Sequence, residues 1–182
     1  MYEGYNKVFW GIFFITFHIN LGPVTILPAF VGYLIISKGI NILYEETEID
    51  TFKKAQLLAN ILAARSIIIG VMELFSFNIS DLLILNTLIV TVFSTVEMIM
   101  FYKLIEGSVE YFTSLNLEKA AHRNMGAARF YTIASIIGII SMNLSLVFHI
   151  GRLSVLALFI LIILRIYLMV AARRNRNIFA AE

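Results

Sequence analysis

The stretch LSVLALFILIILRIYLMVAA (residues 153–172) contains 20 residues and a single charge, Arg165. A helix rises about 1.5 Å per residue, so this segment is long enough to cross a hydrocarbon core about 30 Å thick. The basic cluster Arg173-Arg174-Asn175-Arg176 follows directly. The segment is therefore predicted to be a transmembrane helix whose C-terminal end lies at a membrane surface.

The rest of the chain has the same apolar character. Of its 182 residues 60% are hydrophobic and 14% are charged, with a mean hydropathy of +0.88, whereas soluble domains have about 45–50% apolar and about 25% charged residues. Apolar runs predict six spans, at residues 8–21, 26–43, 55–75, 82–105, 128–148 and 153–172. We expect an all-α integral membrane protein, in which residues 1–182 form one six-helix transmembrane bundle.

The first hairpin is predicted to be short or broken. Its first span is short, and Gly22, Pro23 and Pro28 interrupt the residues that follow, where proline removes a backbone donor. One interpretation is a tight hairpin of two spans that turns at residues 21–27. We favour it because the dipeptide Gly22-Pro23 is typical of turns. The other is a single broken helix with a re-entrant piece.

Lysine and arginine are distributed unequally between the two sides of the predicted bundle. With the N-terminus inside, the inner side holds ten: Lys7, Lys53, Lys54, Lys103, Lys119, Arg123, Arg129, Arg173, Arg174 and Arg176. The outer side holds only Arg152. This positive-inside pattern favours an even number of spans in the cell membrane with both termini cytoplasmic.

The predicted cytoplasmic connections carry most of the polar residues. An acidic run, Glu45 to Asp50, follows the second span, and a longer stretch occupies residues 106–126. We expect this longer stretch to be a solvated connector. The alternatives are a helix on the membrane surface or an extension of the fourth span, because apolar residues interleave with charged ones.

Small residues recur at helical spacing in several spans. Gly32 and Gly39 lie seven residues apart, and further small residues follow at Ala55, Ala59, Ala63, Ala134, Gly138, Ser141 and Ser145. Small residues on one face let two helix backbones approach closely. We expect these faces to pack within the bundle, with packing against another chain as the alternative.

The stretch Ile26-Leu27-Pro28-Ala29-Phe30-Val31-Gly32-Tyr33, preceded by Phe9-Trp10-Gly11, carries a resemblance. It resembles the N-terminal hairpin of uncharacterised polytopic membrane proteins of clostridial type, in which Leu-Pro, an acidic residue and Phe-Ile-Gly-Tyr occur in this order. Ala29 stands where the acid usually lies. The resemblance covers about 35 residues and implies no known activity.

Four ionisable residues fall within the predicted spans. At 1.5 Å per residue from the inner ends, Arg65 lies roughly 15 Å deep, Glu97 roughly 12 Å, Arg165 roughly 10 Å and Lys38 roughly 7 Å. Because their depths match on consecutive antiparallel spans, we expect Arg65 and Glu97 to form an ion pair. The three cations are candidates for a site that receives an anion or a lipid headgroup, unless Lys38 and Arg165 merely extend to the interface.

Polar residues also gather at the predicted outer ends of the spans: His18, Asn20, Glu73, Asp81, Asn143 and His149. They are candidates for a polar vestibule that admits a solute. Histidines and carboxylates are also the ligand types that zinc prefers, but their spacing matches no metal motif, so we predict no metal site.

Several classes of function find no support in the chain. It has no cysteine and hence no cysteine-ligated metal of its own, and no His-Glu-x-x-His, Gly-x-Ser-x-Gly or phosphate-binding glycine motif. We therefore expect no cofactor and no catalysis. A net charge of +2, with basic residues sorted by membrane side, is not typical of nucleic-acid binding.

Three functions remain, of which the first is favoured. In the first, the chain is a subunit that transports or binds a small solute or an anion and has no energy-coupling site of its own. In size it is similar to the substrate-binding subunits of energy-coupling-factor vitamin importers. Alternatively it is a non-catalytic membrane partner or sensor that engages a second membrane subunit or a cytoplasmic protein through its loops. A lipid-binding protein or intramembrane enzyme is the third.

Overall fold

The computed structural model of the protein describes residues 1–17, 20–21, 24–25, 29–74, 83–148 and 150–180. The helices in chain order are α1 (Tyr2–Thr16), α2 (Ala29–Thr47), α3 (Asp50–Leu74), α4 (Leu83–Ser114), α5 (Glu118–Phe148) and α6 (Gly151–Ile178). Between α1 and α2, the two-residue strands β1 (Asn20–Leu21) and β2 (Val24–Thr25) pair antiparallel. The predicted all-α bundle of six helices is confirmed, whereas Gly22, Pro23 and residues 26–28 lie outside the described part.

Four of the six helices, α3 to α6, are long and apolar enough to cross a membrane within the described residues. The shorter α1 has 15 residues and is about 22 Å long, which falls short of a 30 Å core. It ends at Thr16, so the first span predicted at 8–21 is wrong at its C-terminal boundary. The chain is therefore a helical membrane protein that begins with a short helix.

The helices form a closed ring, because each packs against the next along the chain and α6 packs back against α1. Both termini meet at one end of the ring, which we call the terminal end. There the Met1 amino group pairs with Glu46, and Tyr5 donates a hydrogen bond of 2.8 Å to Ser108. One hydrophobic core includes buried residues from all six helices.

Glycines bring α1 and α2 into backbone contact. A Cβ placed on Gly39 would lie 2.7 Å from the Gly4 carbonyl oxygen, and one on Gly11 would lie 2.8 Å from the Gly32 carbonyl oxygen. Since Gly4 meets Gly39 and Gly11 meets Gly32, the two helices run antiparallel. Helices α1 and α2 thus form an antiparallel pair, and Gly32 and Gly39 share a packing face as predicted; that both helices span the membrane and that the chain turns at residues 21–27 stays a prediction.

Other small residues also pack inside the ring. Ala55 and Ala59 are fully buried on α3, and a Cβ on Gly138 of α5 would lie 3.3 Å from Ile160 of α6. The Ser145 hydroxyl is hydrogen-bonded to the Ser154 hydroxyl across α5 and α6. These faces pack within the bundle, as expected.

The α4–α5 connection differs from the expectation. Helix α4 continues to Ser114 and α5 begins at Glu118, so only residues 115–117 connect them. Phe112, fully buried, packs against Ala120 and Ala121 and holds the two extensions together. The solvated connector predicted for residues 106–126 is therefore wrong, and the alternative of an extended fourth span is correct.

A reciprocal amide pair joins α5 to α6 near the terminal end. The Asn124 side-chain amide donates to the Asn175 oxygen at 3.1 Å, and the Asn175 amide donates back at 3.0 Å. The two residues are 2% and 4% exposed. We call them the asparagine pair. It lets both buried amides make hydrogen bonds and fixes the register of the two helices.

Candidate functional site

Each of the six helices contributes one residue to a polar group inside the ring. The members are the Ile15 carbonyl, Tyr33, Arg65, Glu97, Tyr131 and Arg165. We call this group the central cluster. Arg165 precedes Arg174 by nine residues, which is about 14 Å along a helix. With the terminal end at one membrane surface, the cluster lies near the middle of a core about 30 Å thick.

An ion pair between α4 and α6 forms the centre of the cluster. The Arg165 Nη2 donates to both oxygens of the Glu97 carboxylate, at 2.9 and 3.3 Å. The side chains are 25% and 19% exposed, so most of the pair is enclosed by the helices. Because α4 and α6 are not neighbours in the ring, this contact reaches across its interior.

The same arginine also satisfies the end of α1. The last carbonyls of a helix have no partner within the helix, and they carry its negative partial charge. The Arg165 Nη1 donates to the Ile15 carbonyl at 2.8 Å, one residue before α1 ends. A cation from α6 thus contributes one of the hydrogen bonds that a helix end inside a membrane needs.

Two tyrosines surround this ion pair. The Tyr33 hydroxyl interacts with the Glu97 carboxylate, and Tyr131, whose hydroxyl interacts with Ser135, lies close enough to be affected by the charge of Glu97. Both tyrosines are largely buried, at 7% and 5% exposure. They were not singled out from the sequence, because tyrosine near a span end is typical of the interfacial aromatic belt.

Among the described residues, Arg65 is the cation of the cluster without an acid bound to it. Its guanidinium carbon lies 4.4 Å from the centroid of the Phe93 ring, which is a cation–π contact between α3 and α4. Among the described residues its Nε is buried and has no hydrogen-bond partner. A buried donor without a partner typically costs about 1–3 kcal/mol, so an acceptor that reached Arg65 would bind favourably.

The ion pair that depth alone predicted, Arg65 with Glu97, is wrong. Glu97 pairs with Arg165. Arg65 interacts with Glu97 and Tyr33 through electrostatics at longer range. Arg165 therefore does not extend to the interface.

Lys38, the third predicted cation, lies on the exposed surface of α2. Its charge reaches Glu3, near the N-terminus of α1. The pKa of Glu3 is lowered from its ordinary value mainly by a hydrogen bond from Lys7 and to a smaller extent by the charge of Lys38. Lys38 is thus placed toward the terminal end and outside the cluster. The intramembrane site consists of two cations and one carboxylate instead of three cations and one carboxylate.

Most of the predicted outer vestibule falls outside the described residues. His18, Asp81 and His149 lie there, as do the side chains of Asn20 and Glu73. Asn143 is described: it accepts a 2.6 Å hydrogen bond from Thr91 and donates one of 2.8 Å to the Ile139 carbonyl. Asn143 therefore connects α4 to α5. Within the described part no three His, Asp or Glu side chains converge as metal ligands would.

The ring and its central cluster define the class of this chain: a polytopic helical membrane protein with charged residues buried in its interior. Comparison with protein-family models, with curated proteins and with solved structures finds no match for the chain.

Proposed function

We propose that this protein is a membrane-embedded binding or transport subunit for a small anionic solute, which Arg65 holds beside the Glu97–Arg165 pair. One observation carries the proposal: within the described part of the chain, Arg65 is a half-buried cation with no acid bound to it and with a buried, unpartnered Nε. Intramembrane cations generally face a partner or a water-filled path, because an uncompensated charge in hydrocarbon is costly.

The charge balance of the cluster supports an anion as the ligand. Arg65 and Arg165 give two positive charges, and Glu97 gives one negative charge. Arg165 is held on two sides, by Glu97 and by the Ile15 carbonyl, so both of its terminal nitrogens already donate. Arg65 therefore supplies the charge and the donors that bind the solute.

The orientation belongs to the same proposal. Both termini lie in the cytoplasm, so the basic terminal end faces inward and the hairpin end faces outward. Energy coupling, where it is needed, comes from another subunit.

Thermal unfolding in detergent tests the binding. A site-specific ligand at 100 times its Kd stabilises the folded state by about 2.7 kcal/mol, which raises the Tm of a chain of this size by about 5–10 °C. The probes are inorganic phosphate, sulfate, lactate and benzoate. At least one should raise the Tm of the wild type saturably, and Arg65→Gln should abolish the shift.

Lys38→Gln is the matched control, because it removes one positive charge from the surface of α2 and leaves the cluster intact. It should retain the shift. If no anion stabilises the wild type, or if Arg65→Gln responds as the wild type does, the proposal is wrong.

A non-catalytic membrane partner or sensor is the second candidate. Tight packing favours it: the cavity beside Tyr5, Leu104 and Asn175 near the terminal end is only about 20 Å³, the size of one water molecule. A tightly packed bundle has little room for a solute, so it would act through its terminal-end surface. Co-purification of a stoichiometric protein, together with no response to any anion, would favour this candidate.

A further inference from the structure

A small surface groove of about 20 Å³ lies between α5 and α6 at the terminal end, beside the asparagine pair, so a headgroup would lie over the groove and not inside it. Arg123 of α5 and Arg174 of α6 lie on its two sides, and Tyr167 and Val170 line it further along α6. Since the amides of Asn124 and Asn175 are joined, the neighbouring Arg123 and Arg174 are brought to the same groove. Both arginines are exposed.

The groove lies in the most basic part of the chain. Residues 118–130 and 166–180 contain six cations, Lys119, Arg123, Arg129, Arg173, Arg174 and Arg176, and one carboxylate, Glu118. Residues 45–54 at the α2–α3 corner, which lies opposite α5 and α6 in the ring, contain four carboxylates and the two cations Lys53 and Lys54. The α5–α6 side of the terminal end is therefore the more positive side, and an anion is attracted to the groove.

Below the arginines the surface becomes apolar without a break. The rings of Phe130 and Tyr167 meet edge to face with centroids 5.0 Å apart, and beyond them the exposed side chains of Ile133, Ile163 and Ile166 continue along both helices. Tyrosine at this level, between basic and apolar residues, is typical of a membrane interface. The surface thus offers a place for acyl chains directly beneath a place for an anion.

We infer that this groove binds an anionic phospholipid, with its phosphate between Arg123 and Arg174 and its acyl chains along the apolar strip that begins at Phe130 and Tyr167. Basic pockets between transmembrane helices are suited to such headgroups. The apolar strip distinguishes a lipid from free phosphate, because a soluble anion gains nothing from it. The inference does not rest on the proposed function, since the groove and the central cluster are separated by about 14 Å along α6.

Native mass spectrometry of the purified protein tests this inference. The probes are phosphatidylglycerol and phosphatidylcholine with identical acyl chains, each titrated separately, and inorganic phosphate as a third arm. The wild type should bind phosphatidylglycerol at least tenfold more tightly than phosphatidylcholine. The double variant Arg123→Gln with Arg174→Gln should lose affinity for phosphatidylglycerol by about 25-fold, if each interfacial arginine contributes about fivefold.

The matched control is Arg129→Gln with Arg173→Gln, which removes the same charge from exposed positions that do not line the groove. It should lose less than about threefold. Arg123→Lys with Arg174→Lys should retain most of the binding and guards against a folding defect in the glutamine variant.

Three outcomes would overturn the inference. The first is an equal loss of phosphatidylglycerol affinity in the two double glutamine variants, which would indicate an effect of general surface charge. The second is equal binding of the two lipids. The third is displacement of phosphatidylglycerol by millimolar inorganic phosphate, which would indicate a site for a soluble anion. The comparison of the two lipids uses the wild type alone, so equal binding would overturn the inference even if a variant fails to fold.

Discussion

The ion pair across the ring can be measured by a double-mutant cycle. Glu97→Gln leaves Arg165 charged and partly buried, with the Ile15 carbonyl as its remaining hydrogen-bond acceptor among the described residues. Breaking a buried pair in this way typically costs about 3–5 kcal/mol. We expect about 3 kcal/mol, because the remaining hydrogen bond and the partial exposure of Arg165 reduce the loss.

The coupling energy isolates the pair from the other contacts of Arg165. For Glu97 with Arg165 we expect about 2 kcal/mol, toward the upper part of the range for residues in direct contact, because one guanidinium nitrogen contacts both carboxylate oxygens. For Glu97 with Arg65 we expect less than about 1 kcal/mol, since no hydrogen bond joins them. The assay is reversible unfolding in mixed micelles, with variants that replace each arginine by glutamine.

A surface pair provides the control for this cycle. Lys7 donates to Glu3 at 2.7 Å one turn away on α1, and exposed pairs of this kind contribute about 0.2–0.5 kcal/mol. The reasoning is refuted if the Glu97–Arg165 coupling does not exceed that of the Glu3–Lys7 pair, or if Glu97 couples more strongly to Arg65 than to Arg165.

Three further predictions concern packing and orientation. Gly39→Ala should lower the free energy of unfolding by about 1–3 kcal/mol, because its Cβ would meet the backbone of α1. The control is Gly126→Ala, whose Cβ meets nothing within 4 Å; it should have no effect or stabilise the protein by up to about 1 kcal/mol. Equal losses in the two variants would contradict the close contact between α1 and α2. Replacing either member of the asparagine pair by leucine should lower the free energy of unfolding by about 1–3 kcal/mol, because one buried amide is left unpaired. The double replacement should lower it by less than the sum of the two single replacements. Strict additivity in chemical unfolding would show that the two amides do not interact. The chain has no cysteine, so a single introduced cysteine can be labelled specifically. An impermeant maleimide added to intact cells should label Arg152→Cys, whereas Asn177→Cys should react only after permeabilisation. The reverse pattern would place both termini outside.

The number of helices and the broken first hairpin could be predicted because both depend on local sequence. Hydropathy identifies a helix that must lie in lipid, and the closely spaced Gly22, Pro23 and Pro28 prevent one helix from continuing into the next. Gly32 and Gly39 repeat at a helical spacing, so their common face was visible as well. Their partners Gly4 and Gly11 repeat at the same spacing and could have been recognised by the same criterion.

The partner of Glu97 could not be predicted because sequence position gives depth along a helix and not direction around it. Arg65 matches Glu97 in depth, but its guanidinium contacts Phe93. Arg165 reaches Glu97 only because the six helices close into a ring, and that closure places residues 68 positions apart in contact. The buried positions of Tyr33 and Tyr131 depend on the same closure.

The α4–α5 connection was mispredicted for a different reason. Charged residues at 106–126 mark the end of the membrane, which is not the end of the helix. Helix α4 has 32 residues and is about 48 Å long, so it continues well past a core of about 30 Å. The apolar residues Val109 and Phe112 within that stretch were the signal that the helix continues.

The hydrogen bond from Arg165 to the Ile15 carbonyl has a consequence for biosynthesis. The two residues are 150 positions apart, so at about 5–20 residues per second the ribosome makes the arginine about 8–30 s after the isoleucine. During that interval the Ile15 carbonyl lacks the hydrogen bond that the last helix donates to it in the completed protein. Nascent chains that stop before α6 therefore leave the ring open between α1 and α5, and membrane chaperones and proteases can distinguish them from completed molecules by that opening.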